Sequence, residues 1–84
     1  MNEMRIELKV LSPERELLAC RVEQVELPGM LGRFVVQPDH APIISALVEG
    51  VIRYRIDGED RTLPVRSGFA RVKDNVVTVC VEVA

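Results

Sequence analysis

Apolar and charged residues alternate near the start of the chain. Met4, Ile6, Leu8 and Val10 are each separated by a single charged residue. This period of two is typical of a strand that buries one face. The pair Ser12-Pro13 ends the alternation, because proline fixes its own φ and disfavours the helical region for the residue before it. We therefore expect a turn there, followed by a short strand over about Glu16 to Cys20.

The apolar pattern then slips by one residue. Val22 lies on one phase, whereas Val25 and Leu27 lie on the other, as a β-bulge or a bend would cause. The tripeptide 27–29, Leu-Pro-Gly, ends this segment. Residues 34–36 are short, apolar and β-prone, and glycine and proline bound them, so they are predicted to form a brief strand between two loops.

The apolar residues from Ile43 to Val48 fit either a helix or a buried strand. Pro42 and Gly50 flank them and leave room for only about seven residues, which favours the strand.

Two hairpins are predicted in the second half of the chain. In the first, an alternating segment 52–56 is followed by Asp57-Gly58, which supplies the positive-φ pair of a tight turn, and by a return strand with Leu63 and Val65. In the second, residues 69–73 turn at Asp74-Asn75 and return through residues 76–83. This last strand is apolar on both phases, so one face is expected to pack inside the domain while the other needs a cover.

These elements predict an all-β fold. No segment shows a helical period with capping residues, and turn signals recur at short intervals. The spacing indicates a small β-sandwich or flattened barrel of about 8–10 short antiparallel strands, with residues 1–84 forming a single domain.

Composition and charge exclude several kinds of partner and of protein class. The chain has 11 Lys and Arg residues against 13 Asp and Glu residues, a net charge of -2, and its basic residues are scattered, so neither nucleic acid nor an anionic membrane surface is an expected partner. The N-terminus has no signal peptide or membrane span, so we expect a soluble chain that is not exported. Cys20 and Cys80 exclude a multi-disulfide framework. A single bridge between them is the alternative to two reduced cysteines that serve as small apolar core residues, which we favour.

No arrangement of residues predicts catalysis. His40 is the only histidine, and one histidine with two distant cysteines matches no zinc-ligand spacing. No glycine-rich oxyanion turn lies beside either cysteine, and neither Gly29 nor Gly32 is followed by the Lys and Ser or Thr of a phosphate loop. The chain is therefore expected to be non-catalytic, with no cofactor, no metal and no small-molecule substrate.

Met30 and Leu31 lie between two turn glycines, where a hydrophilic loop tip is usual. They indicate either a contact surface or side chains that fold back onto the core. For His40, the alternatives are a structural hydrogen bond and an interface contact. Arg53 and Arg55 fit a solvated strand face, with ion pairing to an acidic partner as the alternative.

The segment LPGMLGRFVVQPDHAPIISALVEGVIRYR, residues 27–55, resembles the N-terminal β-domain of ATP synthase epsilon subunits. The positions in register with that family are Pro28, Gly29, Gly32, Pro38, His40, Ala41, Pro42, Ile43, Ile44, Ser45, Leu47, Gly50 and Ile52. The opening strand, Ser67-Gly68-Phe69 and the closing Asn75–Val79 extend the resemblance over nearly the whole chain. Two positions depart from it, since the family commonly has an acidic residue where this chain has Arg33 and a glycine where it has Asp39.

The resemblance implies a rotor subunit of the central stalk, which links the gamma subunit to the c-ring and couples ion translocation to ATP synthesis. One sheet is then expected to pack on gamma, with contacts from His40, Ile43 and Ile44. The loops expected to face the c-ring contain Met30, Leu31, Gly32, Arg33, Asp39, His40, Ala41 and Pro42. The subunit would be peripheral to the membrane, on the cytoplasmic face of a bacterial inner membrane or the stromal face in a plastid.

Most members of that family continue into a C-terminal helical hairpin that restrains ATP hydrolysis. The sequence stops at Ala84, so we expect no inhibition through that hairpin. The alternative function is a free-standing small β-sandwich that binds a soluble ligand or partner.

Overall fold

A computed structural model of the chain describes residues 5–83, so Met4 of the predicted first strand lies outside the described residues. Among the described residues the chain forms strands and turns only. The strands are β1 (Ile6–Leu11), β2 (Glu16–Val22), β3 (Gln24–Gly29), β4 (Gly32–Val36), β5 (Ile43–Leu47), β6 (Gly50–Ile56), β7 (Glu59–Val65), β8 (Ser67–Lys73) and β9 (Val76–Glu82). The all-β prediction is confirmed, and nine strands fall within the expected number.

The strands form one curled sheet in the order β2-β1-β9-β8-β5-β3-β6-β7, with β4 paired to the free edge of β3. The sheet curls far enough for β2 to approach β6. All pairings are antiparallel except that between β1 and β9, which differs from the purely antiparallel expectation. Parallel neighbours need a long connection, and the whole chain between β1 and β9 supplies it.

The core lies on the concave side of the curl and is entirely apolar among the described residues. β1 and β9 contribute in strict alternation: Ile6, Leu8 and Val10 of β1 and Val77, Val79 and Val81 of β9 are buried, whereas the residues between them are not. The largest fully buried side chains are Ile6, Leu8, Leu27, Ile52, Val10, Val22, Val25, Val36, Val65, Val72, Val77 and Val79.

The bend and the two tight turns that the sequence predicts are present at the predicted positions. Val22 and Val25 are both fully buried, because a bend at Glu23 separates β2 from β3 and absorbs the slipped residue. The turns at Asp57-Gly58 and Asp74-Asn75 have positive φ at both positions, 50° and 79° in the first and 53° and 62° in the second. The strand interpretation of the segment after Pro42 is also confirmed, although β5 ends at Leu47.

Candidate interaction surfaces

The β3–β4 hairpin projects two apolar residues into solvent. Gly29 pairs with Gly32, so Met30 and Leu31 form a two-residue connection, with Gly32 at φ +129°, a value that favours glycine. Met30 is 63% exposed and Leu31 is 102% exposed. The interpretation in which both side chains fold back onto the core is therefore wrong.

Backbone hydrogen bonds fasten this hairpin to the neighbouring strand. The Met30 N–H donates to the Ala46 carbonyl at 2.9 Å, and the Val48 N–H donates to the Pro28 carbonyl at 2.9 Å. The tip therefore projects from a backbone that is tied to β5 on both sides of Gly29.

The convex face of β1, β9, β8 and β5 carries a continuous line of apolar side chains. Leu11 lies opposite Cys80, Cys80 opposite Phe69, and Phe69 opposite Ala46. Met30 continues the line, since its amide bonds to Ala46. We call these five residues, Leu11, Cys80, Phe69, Ala46 and Met30, the outer apolar row. At a strand spacing of about 4.8 Å it spans about 19 Å.

Phe69 stands at the centre of this row and is 63% exposed. A groove of about 620 Å³ lies along the row, and its lining includes Pro13 and Gly68 as well as the five row residues. An aromatic ring left in solvent on a sheet face is typical of an interaction surface.

Basic side chains flank one side of the outer apolar row. Two residues further along the strands, Lys9 and Arg71 both lie opposite Thr78. On the other side of the row, Glu82 lies opposite Ser67. The outer face is thus an apolar stripe with a cationic border on one side.

The two cysteines are free, but they differ in environment. Cys20 is partly buried, and burial raises the pKa of its thiol above the ordinary value. Cys80 is exposed in the outer apolar row. Its interpretation as a core residue is wrong, because the alternation of β9 points Val79 and Val81 inward and Cys80 outward.

The loop 37–42 lies against the β8–β9 turn. The Asp39 N–H donates to Asn75 Oδ1 at 2.6 Å, and Asn75 Nδ2 donates to Asp39 Oδ1 at 3.3 Å. Asp39 has φ 67°, a conformation that glycine adopts without cost. Partly buried His40 donates its backbone N–H to the Gln37 carbonyl at 3.2 Å, and its Nδ1 lies 2.7 Å from the Ala41 carbonyl.

The two loops that the resemblance assigns to the c-ring lie near opposite ends of β5. Loop 37–42 precedes the start of β5, whereas the hairpin tip contacts its far end at Ala46. The four residue steps from Pro42 to Ala46 correspond to about 13 Å of extended strand. Ala41 and Pro42 are exposed at the start of β5.

Ile43 and Ile44 point to opposite faces of β5. Ile43 pairs with buried Val72 and is 37% exposed, whereas Ile44 pairs with Arg71 and is 73% exposed. A second groove, of about 530 Å³, runs between residues 43–46 of β5 and residues 30–34. Ile44 therefore belongs with the outer face and the hairpin tip.

Arg33 does not extend toward the hairpin tip. Its Nε donates to Glu26 Oε2 at 2.7 Å and its Nη2 donates to the Val51 carbonyl at 2.9 Å. Arg53 Nη1 donates to the other carboxylate oxygen of Glu26 at 3.0 Å. The hydrogen bond from Arg33, together with the positive charges of both arginines, lowers the pKa of Glu26 below its ordinary value.

Within residues 5–83 no cluster of three or more His, Cys, Asp or Glu side chains is placed to hold a metal ion. No helix in that range is long and apolar enough to cross a membrane.

Sequence reasoning missed Phe69, although a signal was present. Ala70 and Val72 occupy the inward phase of β8, so Phe69 shares the outward phase with Arg71 and Lys73. An aromatic residue on the charged phase of a strand indicates a contact surface.

Comparison with known families gives one match over most of the chain. The family described as "ATP synthase, Delta/Epsilon chain, beta-sandwich domain" matches residues 5–84. Similar proteins include the ATP synthase epsilon chains of Desulfitobacterium hafniense, 42% identical over 92% of this chain, and of Synechococcus elongatus, 40% identical over 96%. The chain spans 58% and 59% of those two relatives.

Two solved assemblies share the fold. A chain in the mitochondrial ATP synthase of Euglena gracilis, in a structure of its OSCP, F1 and c-ring, superimposes with a TM-score of 0.87 at 21% identity, over 94% of this chain and 51% of that one. A chain in the central stalk and c-ring of the Tetrahymena thermophila mitochondrial enzyme gives 0.76 at 17% identity, over 98% and 66%. At these identities the likeness concerns the fold.

Proposed function

Since the chain belongs to the ATP synthase delta/epsilon β-sandwich family, we propose that it is the β-domain of a central-stalk subunit that joins the gamma subunit to the c-ring. Residues 1–84 constitute that domain. It contributes no catalytic group, and it couples rotation of the ring to gamma by binding both. As part of the complex it lies peripherally at the membrane, on the cytoplasmic face.

The observation that carries this proposal is the solvent exposure of the outer apolar row. A domain of this size has few apolar side chains to spare, because it buries only about 60–65% of its unfolded surface. Nevertheless it leaves Phe69 and Met30 each 63% exposed on one face. A partner that covers this face removes that apolar area from water, and gamma is the partner we assign to it.

The hairpin tip is the surface we assign to the c-ring. Leu31 is fully exposed among residues 5–83, and the tip projects beyond the last hydrogen bond to β5. It adjoins the outer face at Met30, so gamma and the ring meet the domain on adjacent surfaces. Loop 37–42 forms a second, separate contact near the start of β5.

Binding to purified gamma, measured by calorimetry, tests the first assignment. Phe69→Asp places a charge at the centre of the row and is expected to weaken binding at least tenfold, as for a buried aromatic anchor. Val35→Asp is the matched control, because Val35 is an exposed apolar residue, 43% accessible, outside the row. Equal affinity of the two variants, or no binding of wild type, would contradict the assignment.

A further inference from the structure

Three charged side chains meet on the surface of β3, β4 and β6. Glu26 lies directly opposite Arg53 in the β3–β6 ladder. Arg33 reaches the same carboxylate from β4, so each oxygen of Glu26 accepts one guanidinium hydrogen bond, at 2.7 Å from Arg33 and 3.0 Å from Arg53. Glu26 thereby connects the hairpin to the strand beyond it.

Arg33 makes one further bond that Arg53 does not. Its Nη2 donates to the backbone carbonyl of Val51 at 2.9 Å. Extending the register of Glu26 with Arg53 by two residues puts Pro28 opposite Val51. Proline has no N–H to donate across a ladder, so the guanidinium supplies a donor where the backbone of β3 lacks one.

This bond lies where β3 changes partner. β3 pairs with β6 through residues 24–26 and with β5 only at Gly29. Between these two ladders, the base of the hairpin depends on the Val48 to Pro28 bond and on the side chain of Arg33. Arg33 therefore bridges the break in the sheet directly behind the projecting tip.

We propose that Arg33 is a positioning residue, which fixes the base of the β3–β4 hairpin to β6, directly through Val51 and indirectly through the Glu26 carboxylate that it shares with Arg53. It thereby sets the direction in which Met30 and Leu31 project. Its importance for the c-ring rests on the proposed function, whereas its effect on the hairpin does not.

The side chain of arginine suits this task. Its planar fork donates to a carboxylate and to a carbonyl at the same time, whereas lysine presents a single charged point. Exposed ion pairs alone contribute little, so the bond to the backbone carbonyl is the decisive contact.

Amide hydrogen exchange of the 84-residue chain tests the proposal without any partner. In Arg33→Gln, the amides of Met30 and of β4 are expected to exchange about tenfold faster, as for the loss of a charge-assisted hydrogen bond, while those of β9 are unchanged. Arg53→Gln is the matched control, because it removes the same charge and a bond to the same carboxylate but no backbone bond. The proposal is overturned if the two variants exchange alike.

Arg33→Lys separates positioning from direct charge contact. This variant keeps the positive charge. Its affinity for purified c-ring is nevertheless expected to be several-fold lower than that of wild type, as low as the affinity of Arg33→Gln. Full c-ring binding by Arg33→Lys would make Arg33 a charge contact and would overturn the proposal. If Leu31→Asp leaves c-ring binding unchanged, the proposed function of the tip fails while the exchange result still stands.

Discussion

At the scale of single residues, the Glu26 carboxylate is held on the sheet surface by two arginines. Two arginines donate to it from opposite sides, and the hydrogen bond from Arg33 is the largest cause of its lowered pKa. A carboxyl group whose pKa is lower in the folded state stabilises the fold above its unfolded pKa, and this stabilisation is lost as the pH falls through the folded pKa.

Glu26 should therefore contribute to acid sensitivity. We expect the free energy of unfolding of the wild type to fall as the pH drops below about 4.5, and Glu26→Gln to show a shallower fall, because its amide does not titrate. Urea denaturation across this range measures both slopes. Glu59→Gln, which removes a carboxylate that is 78% exposed and 3.9 Å from Arg61, is the control with the wild-type slope. An unchanged slope in Glu26→Gln would refute the role of this carboxylate.

At the scale of elements, the β8–β9 ladder depends on the absence of a side chain at Gly68. A Cβ there would clash with the Cys80 carbonyl oxygen and lie 2.9 Å from Val81 Cγ1. Both atoms belong to the strand that carries the inward valines, so neither can move without disturbing the core.

Gly68→Ala is consequently expected to destabilise the chain by about 1–3 kcal/mol, the usual range for an overpacked site. Thermal unfolding followed by circular dichroism measures the loss. Ser67→Ala, one residue earlier and exposed, should stay within about 0.5 kcal/mol of wild type. A Gly68→Ala chain as stable as Ser67→Ala would show that the two strands separate more easily than the structure implies.

Elements defined by local signals could be predicted from the sequence, whereas contacts between distant elements could not. The turn at Asp57-Gly58 was predicted because its backbone needs positive φ at two adjacent positions. The hydrogen bond from Arg33 to the Val51 carbonyl had no such signal in the sequence. It depends on where the pairing between β3 and β6 ends and on the presence of Pro28 just beyond that point. Likewise, the outer apolar row exists only once β1, β9, β8 and β5 are in register.

At the scale of the whole molecule, two adjacent surfaces explain why so small a domain leaves large apolar side chains exposed. The described chain measures 38 × 22 × 19 Å, and the outer apolar row crosses about 19 Å of it. The hairpin tip continues from the row at Met30. Each surface is assigned to a different partner, so a folded chain with one surface damaged should keep the other interaction.

Binding of three chains to purified gamma and to purified c-ring, measured side by side, tests this account most directly. Wild type is expected to bind both partners. Phe69→Asp should bind gamma at least tenfold more weakly than wild type and keep its affinity for the c-ring. Leu31→Asp should bind the c-ring more weakly and keep its affinity for gamma. If wild type binds neither partner, or if either folded variant loses both to the same extent, the assignment of two separate rotor-binding surfaces is wrong.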